Sequence, residues 1–304
     1  MAINLASERD LLLPGLNALT GKYPQLPRTH TKIFEQRKAT YVLERTVSMR
    51  YLSQAQLKPE GTPTTFDNNP GERYVYNHQM NTLSLGFAIT LEAIEDNQYK
   101  KDFGPSVLGL QDAFLRAEEV YAANVLNTAT TYSAAIGGDG KALGATDHPV
   151  DGNSIANLAS PAVSLGEAAL LNGQIAINAN WRDNANQRMN SKPRRLVIPP
   201  QLEPTAIRLL KTELRPGTAN NDVNAILTTQ GGLPDGYLVW NYLTSAFSWF
   251  ILSDCKGLLF WNRMPYQSDM SVEFSTDNLL VKGRQRYVAD YDDWRCLYMS
   301  NPTS

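Results

Sequence analysis

Catalysis or metal binding would have to be built on histidine, cysteine and clustered carboxylates, and this chain uses the first two sparingly. It has 3 histidines and 2 cysteines in 304 residues. His30, His78 and His148 fall in separate segments, and their spacing does not assemble the ligand set of a zinc site. Cys255 and Cys296 form no CxxC pair and read as reduced thiols packed as small apolar groups. Asp139, Asp147, His148 and Asp151 hold enough donor atoms for a divalent cation or a hydrolytic site, but lack the ordered spacing of a calcium loop. They read as turn-forming residues. Gly138-Asp139-Gly140-Lys141 resembles part of a phosphate loop, yet no Ser or Thr follows the lysine and no strand precedes the glycine, so a plain turn is expected. GxSxG, GxxxxGK[ST] and HExxH strings are absent. The residues therefore point to no catalytic site, no cofactor and no metal, and the expectation is that the protein is not an enzyme.

Two charged groups remain. Lys282, Arg284 and Arg286 share one face of a strand by the period-2 rule. Three readings of this stripe stay open: a solvated face paired with acids such as Glu273, a subunit contact, or a patch facing DNA. Asp290, Asp292 and Asp293 read as a solvated strand edge that blocks sheet aggregation.

Composition narrows the classes further. Hydrophobic residues make up 42% and charged residues 19%, which is too apolar and too weakly charged for a disordered chain. Lys plus Arg number 28 against 30 for Asp plus Glu, a net charge of −2, so the chain lacks the basic excess of a dedicated nucleic-acid binder. The first residues carry no basic flank before a long apolar run, so no signal peptide is expected. The uncharged stretch Gly236–Ser253 contains Asn241, Thr244, Ser245 and Ser248 and reads as two buried strands, with no membrane partner expected.

The elements that would position these groups are unlike one another, and no repeat runs through them. Leu11-Leu12-Leu13 is cut off at once by Pro14-Gly15, and Pro24 and Pro27 stiffen the next stretch, so that the segment reads as an arm. Val47, Met49 and Tyr51 alternate with polar residues, as do Leu83, Leu85, Phe87 and Ile89, giving two half-buried strands. Between them Gln54–Arg73 is a proline- and glycine-rich loop of about twenty residues with no core of its own. A ribbon of this kind buries little and needs something outside its domain to order it. Val107, Leu110, Phe114, Ala117, Tyr121 and Val125 make one apolar stripe on a helix over about 106–130, started by Ser106 after Pro105 and spanning about 37 Å. A second helix is expected over 164–178, a strand at Arg195–Pro200, a helix over 203–213 and strands over 237–260, which together describe an α/β layer. Strands at 270–274 and 279–288 flank the turn Ser275-Thr276-Asp277-Asn278, and Asp293–Met299 has room for a closing strand.

Several strings, in order, resemble the major capsid proteins of tailed bacteriophages. They are Leu12-Leu13-Pro14-Gly15-Leu16-Asn17, Lys32-Ile33-Phe34-Glu35, Lys58-Pro59-Glu60-Gly61 with Phe66-Asp67, Leu85-Gly86-Phe87-Ala88-Ile89-Thr90 and Glu95-Asp96-Asn97. Asp139-Gly140-Lys141-Ala142-Leu143 with His148-Pro149, Leu196-Val197-Ile198-Pro199-Pro200 with Leu202-Glu203, and Arg286-Tyr287 with Asp293-Trp294-Arg295 continue the series over nearly the whole chain. The resemblance implies an α+β fold of the phage Hong Kong 97 capsid type. On this chain its parts are an N-terminal arm over 1–45, an extended E-loop hairpin over 46–91, and a peripheral domain over 92–159 with the spine helix. An axial α/β domain comes next over 160–262, and return strands of the peripheral domain over 263–304.

The same resemblance implies a self-assembling icosahedral shell of hexamers and pentamers around double-stranded DNA, found in the virion and assembled in the cytoplasm of a bacterial host. Leu57, Lys58, Glu60, Phe66 and Arg73 are the expected hairpin-tip contacts, and Leu12, Leu13 and Leu16 those of the arm. A portal and a separate scaffold protein are implied partners, a decoration protein is a further one, and contact with packaged DNA is expected to be weak and non-specific. An encapsulin-type compartment shell, which shares the fold, is the alternative. Some members of the family join a hairpin lysine covalently to a neighbour's asparagine with a glutamate assisting. Lys58 lies in that hairpin, but no string here identifies the asparagine or the glutamate, so no crosslink is expected. Assembled particles should thus give one subunit band on a denaturing gel, and a ladder of multiples would overturn that reading.

Overall fold

Two four-stranded sheets and one long helix organise the chain. The computed structural model describes residues 28–67, 70–90, 92, 99–212, 224, 226 and 232–303; the expected arm contacts Leu12, Leu13 and Leu16 lie outside these residues. The strands β1 (Glu35–Lys38), β2 (Leu43–Arg50), β3 (Gly71–Gln79) and β4 (Asn81–Ile89) precede the long helix α1 (Tyr99–Asn127). After it come β5 (His148–Val150), β6 (Asn153–Ile155), α2 (Glu167–Ile175), β7 (Pro193–Ile198) and α3 (Glu203–Lys211). The chain closes with β8 (Tyr237–Val239), β9 (Trp249–Ser253), β10 (Leu258–Val272), β11 (Leu279–Tyr291) and β12 (Leu297–Ser300).

The first sheet has the order β1-β10-β11-β4, with β1 parallel to β10 and the other pairs antiparallel. On β11 the side chains of Leu279, Val281, Gln285 and Tyr287 are buried while Lys282 and Arg284 are exposed, as the two-residue period requires. The buried face receives α1, whose Val107, Leu110 and Phe114 pack on Met270, Leu279 and Val281. Gly283 makes that approach possible, because a Cβ there would stand 2.6 Å from the Phe114 ring and 2.7 Å from Tyr266. With 29 residues, α1 is about 43 Å long. It begins at Tyr99 and not at Ser106; Pro105 falls in its second turn, where it removes one backbone donor without ending the helix. Its far end is tied across the fold, since Asn127 donates to Tyr242 O (3.1 Å) and accepts from Thr244 N (3.0 Å).

The second sheet has the order β12-β9-β7-β8. Its strands are short and almost wholly apolar, and Leu196, Val197, Ile198, Trp249, Phe250 and Ile251 are buried with Trp181 and Trp240. Gly236–Ser253 thus supplies two strands of this sheet, β8 and β9. No helix among the described residues is long and apolar enough to cross a membrane. Of the segments expected as return strands over 263–304, the closing one does not join the first sheet. Leu297–Ser300, buried at every position, pairs with β9 instead. β10 is also one strand of 15 residues, so the boundary expected at 262 falls inside it, at the point where its register with β11 shifts between Asn262 and Met264.

A further difference concerns the ribbon. β2 pairs with β3, from Leu43↔Gln79 to Arg50↔Gly71, whereas β4 joins β11 in the first sheet. The second arm of the ribbon is therefore 71–79, and the tip between the arms is 51–70. The polar residues Glu72, Arg73, Asn77 and Gln79 hide this strand from a search for alternating apolar residues. Phe114, buried in the helix-to-sheet contact, sets the clearest stability expectation. Phe114→Ala should cost about 3–5 kcal/mol in denaturant unfolding, by loss of burial and the cavity it leaves.

Candidate assembly surfaces

The ribbon is amphipathic in the wrong sense for a lone subunit. Along β2 the exposed positions are Leu43, Arg45, Val47 and Met49, while the half-buried ones are Glu44, Thr46, Ser48 and Arg50. The polar side chains face the body of the subunit, and three apolar ones face away. Val47 and its cross-strand partner Val75 are 41% and 40% exposed, so the outward apolar face runs over both strands. Tyr41, Val42, Tyr51 and Leu52 extend it at either end. An exposed apolar surface of this extent marks an interaction site.

Polar contacts fix the inner face. Asn184 Nδ2 donates to Ser48 Oγ (2.6 Å) and to Met49 O (2.9 Å), and Asn184 Oδ1 accepts from Arg295 Nη2 (2.9 Å). Arg73, expected as a tip contact, stands at the tip end of β3, where it donates through Nη1 to Asn184 O of its own subunit (2.5 Å) and lies over the Tyr74 ring. Arg50 sits between Asp67 (3.6 Å) and Asp151 (3.5 Å). Gly137 and Gly138 allow the body to meet β3 closely: Gly138 N donates to Val75 O (2.9 Å), and a Cβ there would stand 2.3 Å from the Tyr76 ring. The string Gly138-Asp139-Gly140-Lys141 is thus a turn against the ribbon, and Asp139 occupies the backbone N–H of Lys141 (3.1 Å).

Beyond the arms, Leu57 and Phe66 are 101% and 83% exposed, and Lys58 and Glu60 are exposed beside them. These four remain available to a neighbour. On the first sheet Lys282 stands 3.5 Å from Asp269, the residue opposite it in register, and not beside Glu273. Arg284 and Arg286 form no ion pair among the described residues, and Arg286 Nε is buried without a hydrogen-bond partner.

The three histidines do not converge; each is buried and bonded to its own carboxylate. His30 Nδ1 lies 2.8 Å from Glu119 Oε1, and Trp240 Nε1 donates to Glu119 Oε2 (2.8 Å). Burial works to raise the Glu119 carboxyl, but the hydrogen bonds from His30 and Trp240 outweigh it and hold the group below the usual carboxylate range. His78 lies 3.1 Å from Asp290 and 2.9 Å from Thr46 Oγ1, joining both ribbon arms to β11. His148 lies 2.6 Å from Asp139 and 3.1 Å from Asn157, stacked on Trp294 with ring centroids 4.4 Å apart.

A hydrolytic cluster of Asp147, His148 and Asp151 is therefore not assembled. Asp147 bonds Lys141, Asp151 faces Arg50, and His148 is enclosed. No group of metal-ligating residues comes together among the described residues. Both thiols are pushed up by burial, Cys255 beside Ser191 Oγ (2.8 Å) and Cys296 in the core, as small packed groups should be. Two of the three aspartates expected at a solvated edge differ from that reading: Asp290 is 5% exposed, and Asp292 lies 3.7 Å from Arg37. Pairing with His78 and Arg37 draws them inward.

Comparison with known proteins places this geometry. The sequence profile of a family described as Phage capsid protein matches residues 76–300, which takes in the body and leaves the tip outside the match. No curated protein sequence matches the chain. Among solved structures, the mature capsid of bacteriophage PhiM1 superposes with a TM-score of 0.59 at 8% identity, over 92% of this chain and 89% of that one. The capsid of the native GTA particle gives 0.56 at 11% identity, over 90% of each chain. The bacteriophage JBD30 capsid gives 0.51 at 11% identity, over 90% of this chain but 65% of that one, so the chain spans less than two thirds of the JBD30 protein. At these identities the likeness is one of fold.

Asp292, beside Arg37 of β1, carries a pH dependence. Burial raises the Asp292 carboxyl to about 6, with Arg37 opposing the shift. A carboxyl raised in the folded state favours folding while protonated, so this contribution is present below the ordinary value of 3.8 and is lost as pH rises through about 6. Asp292→Asn should flatten the change in unfolding free energy between those two pH values, as measured by denaturant titration at a series of pH values.

Proposed function

Because the chain belongs to the phage capsid protein family, we propose that it is the major subunit of an icosahedral tailed-phage head, with the β2/β3 ribbon and its tip laid over an adjacent copy. The observation that carries this reading is the inverted ribbon: its polar face is spent on its own subunit, and its apolar face is left for another. Leu43, Val47, Met49 and Val75 are still 40–42% exposed, so covering them contributes about 0.6–1.3 kcal/mol for each side chain. Contacts of this size, repeated around closed rings, make a shell cooperative although each is modest.

In this reading Leu57, Lys58, Glu60 and Phe66 touch the neighbour directly, while Arg73 positions the tip end of the ribbon through Asn184. The arm residues Leu12, Leu13 and Leu16 extend the contact to further copies in hexamers and pentamers. A portal, a separate scaffold protein and a decoration protein complete the particle, which is assembled in the host cytoplasm. The near-neutral charge suits a container, since a strongly basic lining would resist packaging and release of a polyanion. A role in structure and not in chemistry agrees with the closed histidine pairs. The match to phage capsids favours a nucleic-acid content over the cargo enzyme of an encapsulin-type compartment.

Val47→Glu places a charge on the outward face without touching the inner contacts. It should leave subunit stability within about 0.5 kcal/mol and lower the yield of shells at least tenfold, read by sedimentation and electron microscopy. Deleting Leu57–Gly71 should likewise give a folded subunit that builds no stable shells. Normal heads from either variant would count heavily against the role given to the ribbon.

A further inference from the structure

We propose that the free edge of β4, with the basic stripe beside it, receives an extended acidic segment of another protein as an added strand of the first sheet. Among the described residues β4 pairs with β11 alone, which leaves its other side open. Sheet edges are ordinarily guarded by charge, proline, a bulge or shortness. β1, at the opposite edge, follows that rule with four residues of which Glu35, Arg37 and Lys38 are charged. β4 does not. It has nine residues, Asn81–Ile89, with no charge and no proline, and its register with β11 runs unbroken from Leu279↔Ile89 to Tyr287↔Asn81. Leu85 is 50% exposed on the face that otherwise packs on α1, an apolar group left uncovered.

The other face identifies the occupant. Thr82, Ser84 and Gly86 stand opposite Arg286, Arg284 and Lys282 in register. These three are small, and at Gly86 even a Cβ would come within 3.3 Å of Lys282. Nothing on β4 therefore screens the cations from the side of the edge. A strand added there would lie about 4.8 Å from β4 and about 10 Å from β11, and its alternate residues would recur every 6.6–6.8 Å or so along the strand, in step with the stripe. Glutamate or aspartate at those positions, reaching across Gly86 and Ser84, would pair with Arg284, share Lys282 with Asp269 and bring an acceptor towards the unpartnered Nε of Arg286. Pairing with β4 of a second copy is disfavoured, because it would face two basic stripes with no acid between them. DNA would answer the charges but not the uncharged edge or Leu85. The main-chain bonds supply affinity and the stripe supplies selection. The ribbon plays no part in this site, since β4 belongs to the first sheet.

The test uses the full chain as unassembled subunit and three labelled probes: a short peptide alternating Glu and Thr, its Lys and Thr counterpart, and a short DNA duplex. Fluorescence anisotropy should show the Glu peptide binding at least tenfold more tightly than the Lys peptide. Hydrogen exchange should slow along Asn81–Ile89 when the Glu peptide is bound. Leu85→Lys and Arg284→Glu should each weaken that binding about tenfold while thermal unfolding is unchanged. Should Leu85→Lys fail to fold, Arg284→Glu, at an exposed position, carries the test alone. No binding of the Glu peptide, equal binding of both peptides, or insensitivity to Arg284→Glu would each overturn the proposal. So would DNA displacing the peptide with no change of exchange along β4.

Discussion

A two-stranded ribbon has two faces and only one subunit of its own to lie on. In this chain the body takes the polar face, through Ser48, Thr46, Arg50 and Arg73, and Val47, Met49 and Val75 are turned to solvent. Much of the surrounding structure serves that arrangement. Asn184 and Arg295 form the seat under Ser48 and Met49, the Gly137-Gly138 turn lets the body reach β3, and His78 bonds Thr46 on one arm while itself standing on the other. Hydrophobic burial would have been the ordinary way to dock such a ribbon, and in the proposed assembly its reversal leaves the apolar gain for contact between copies.

The long-range ties have a common form. His30 with Glu119 and His78 with Asp290 each join chain segments far apart in sequence, and Asn157 collects the carbonyls of Leu143, Trp294 and Leu297 while accepting from Ala145 N. Buried pairs of this kind cost much of what they return, because both partners lose water. Their directionality is what a packed apolar core lacks. They hold the residues before β1, the base of the ribbon and the loop after β6 at defined positions against α1, β11 and β12.

Much of this is legible in the sequence, and the rest is hidden for identifiable reasons. Apolar alternation finds β11 and β4, the stripe of Val107, Leu110 and Phe114 finds the spine of the fold, and Pro199-Pro200 marks the end of β7. β3 escapes because its buried positions are Tyr76 and His78 and its remaining residues are largely polar. Asp290 and Asp292 read as solvated because single-sequence reasoning prices a carboxylate by its type, and their partners His78 and Arg37 lie on strands more than two hundred residues away. Arg73 does stand beside the tip, at the start of β3, but its sequence neighbours give no sign that Asn184 of its own subunit takes up its guanidinium. No local signal betrays Asn184 or Asn157, whose value lies wholly in what the fold brings to them.

Hydrogen bonds are directional and hydrophobic contacts are not. The inner face of the ribbon, made of hydrogen bonds and ion pairs, fixes the angle at which it leaves the subunit. The outer face, made of Val47, Val75, Met49 and Leu43, tolerates small changes in what it lies on. In the proposed shell, pentamers and hexamers would present each subunit with neighbours at slightly different angles. Direction supplied from within and tolerance offered outward is the division of labour that such a lattice requires, and interchanging the two faces would leave the ribbon loosely aimed and its partners too strictly specified.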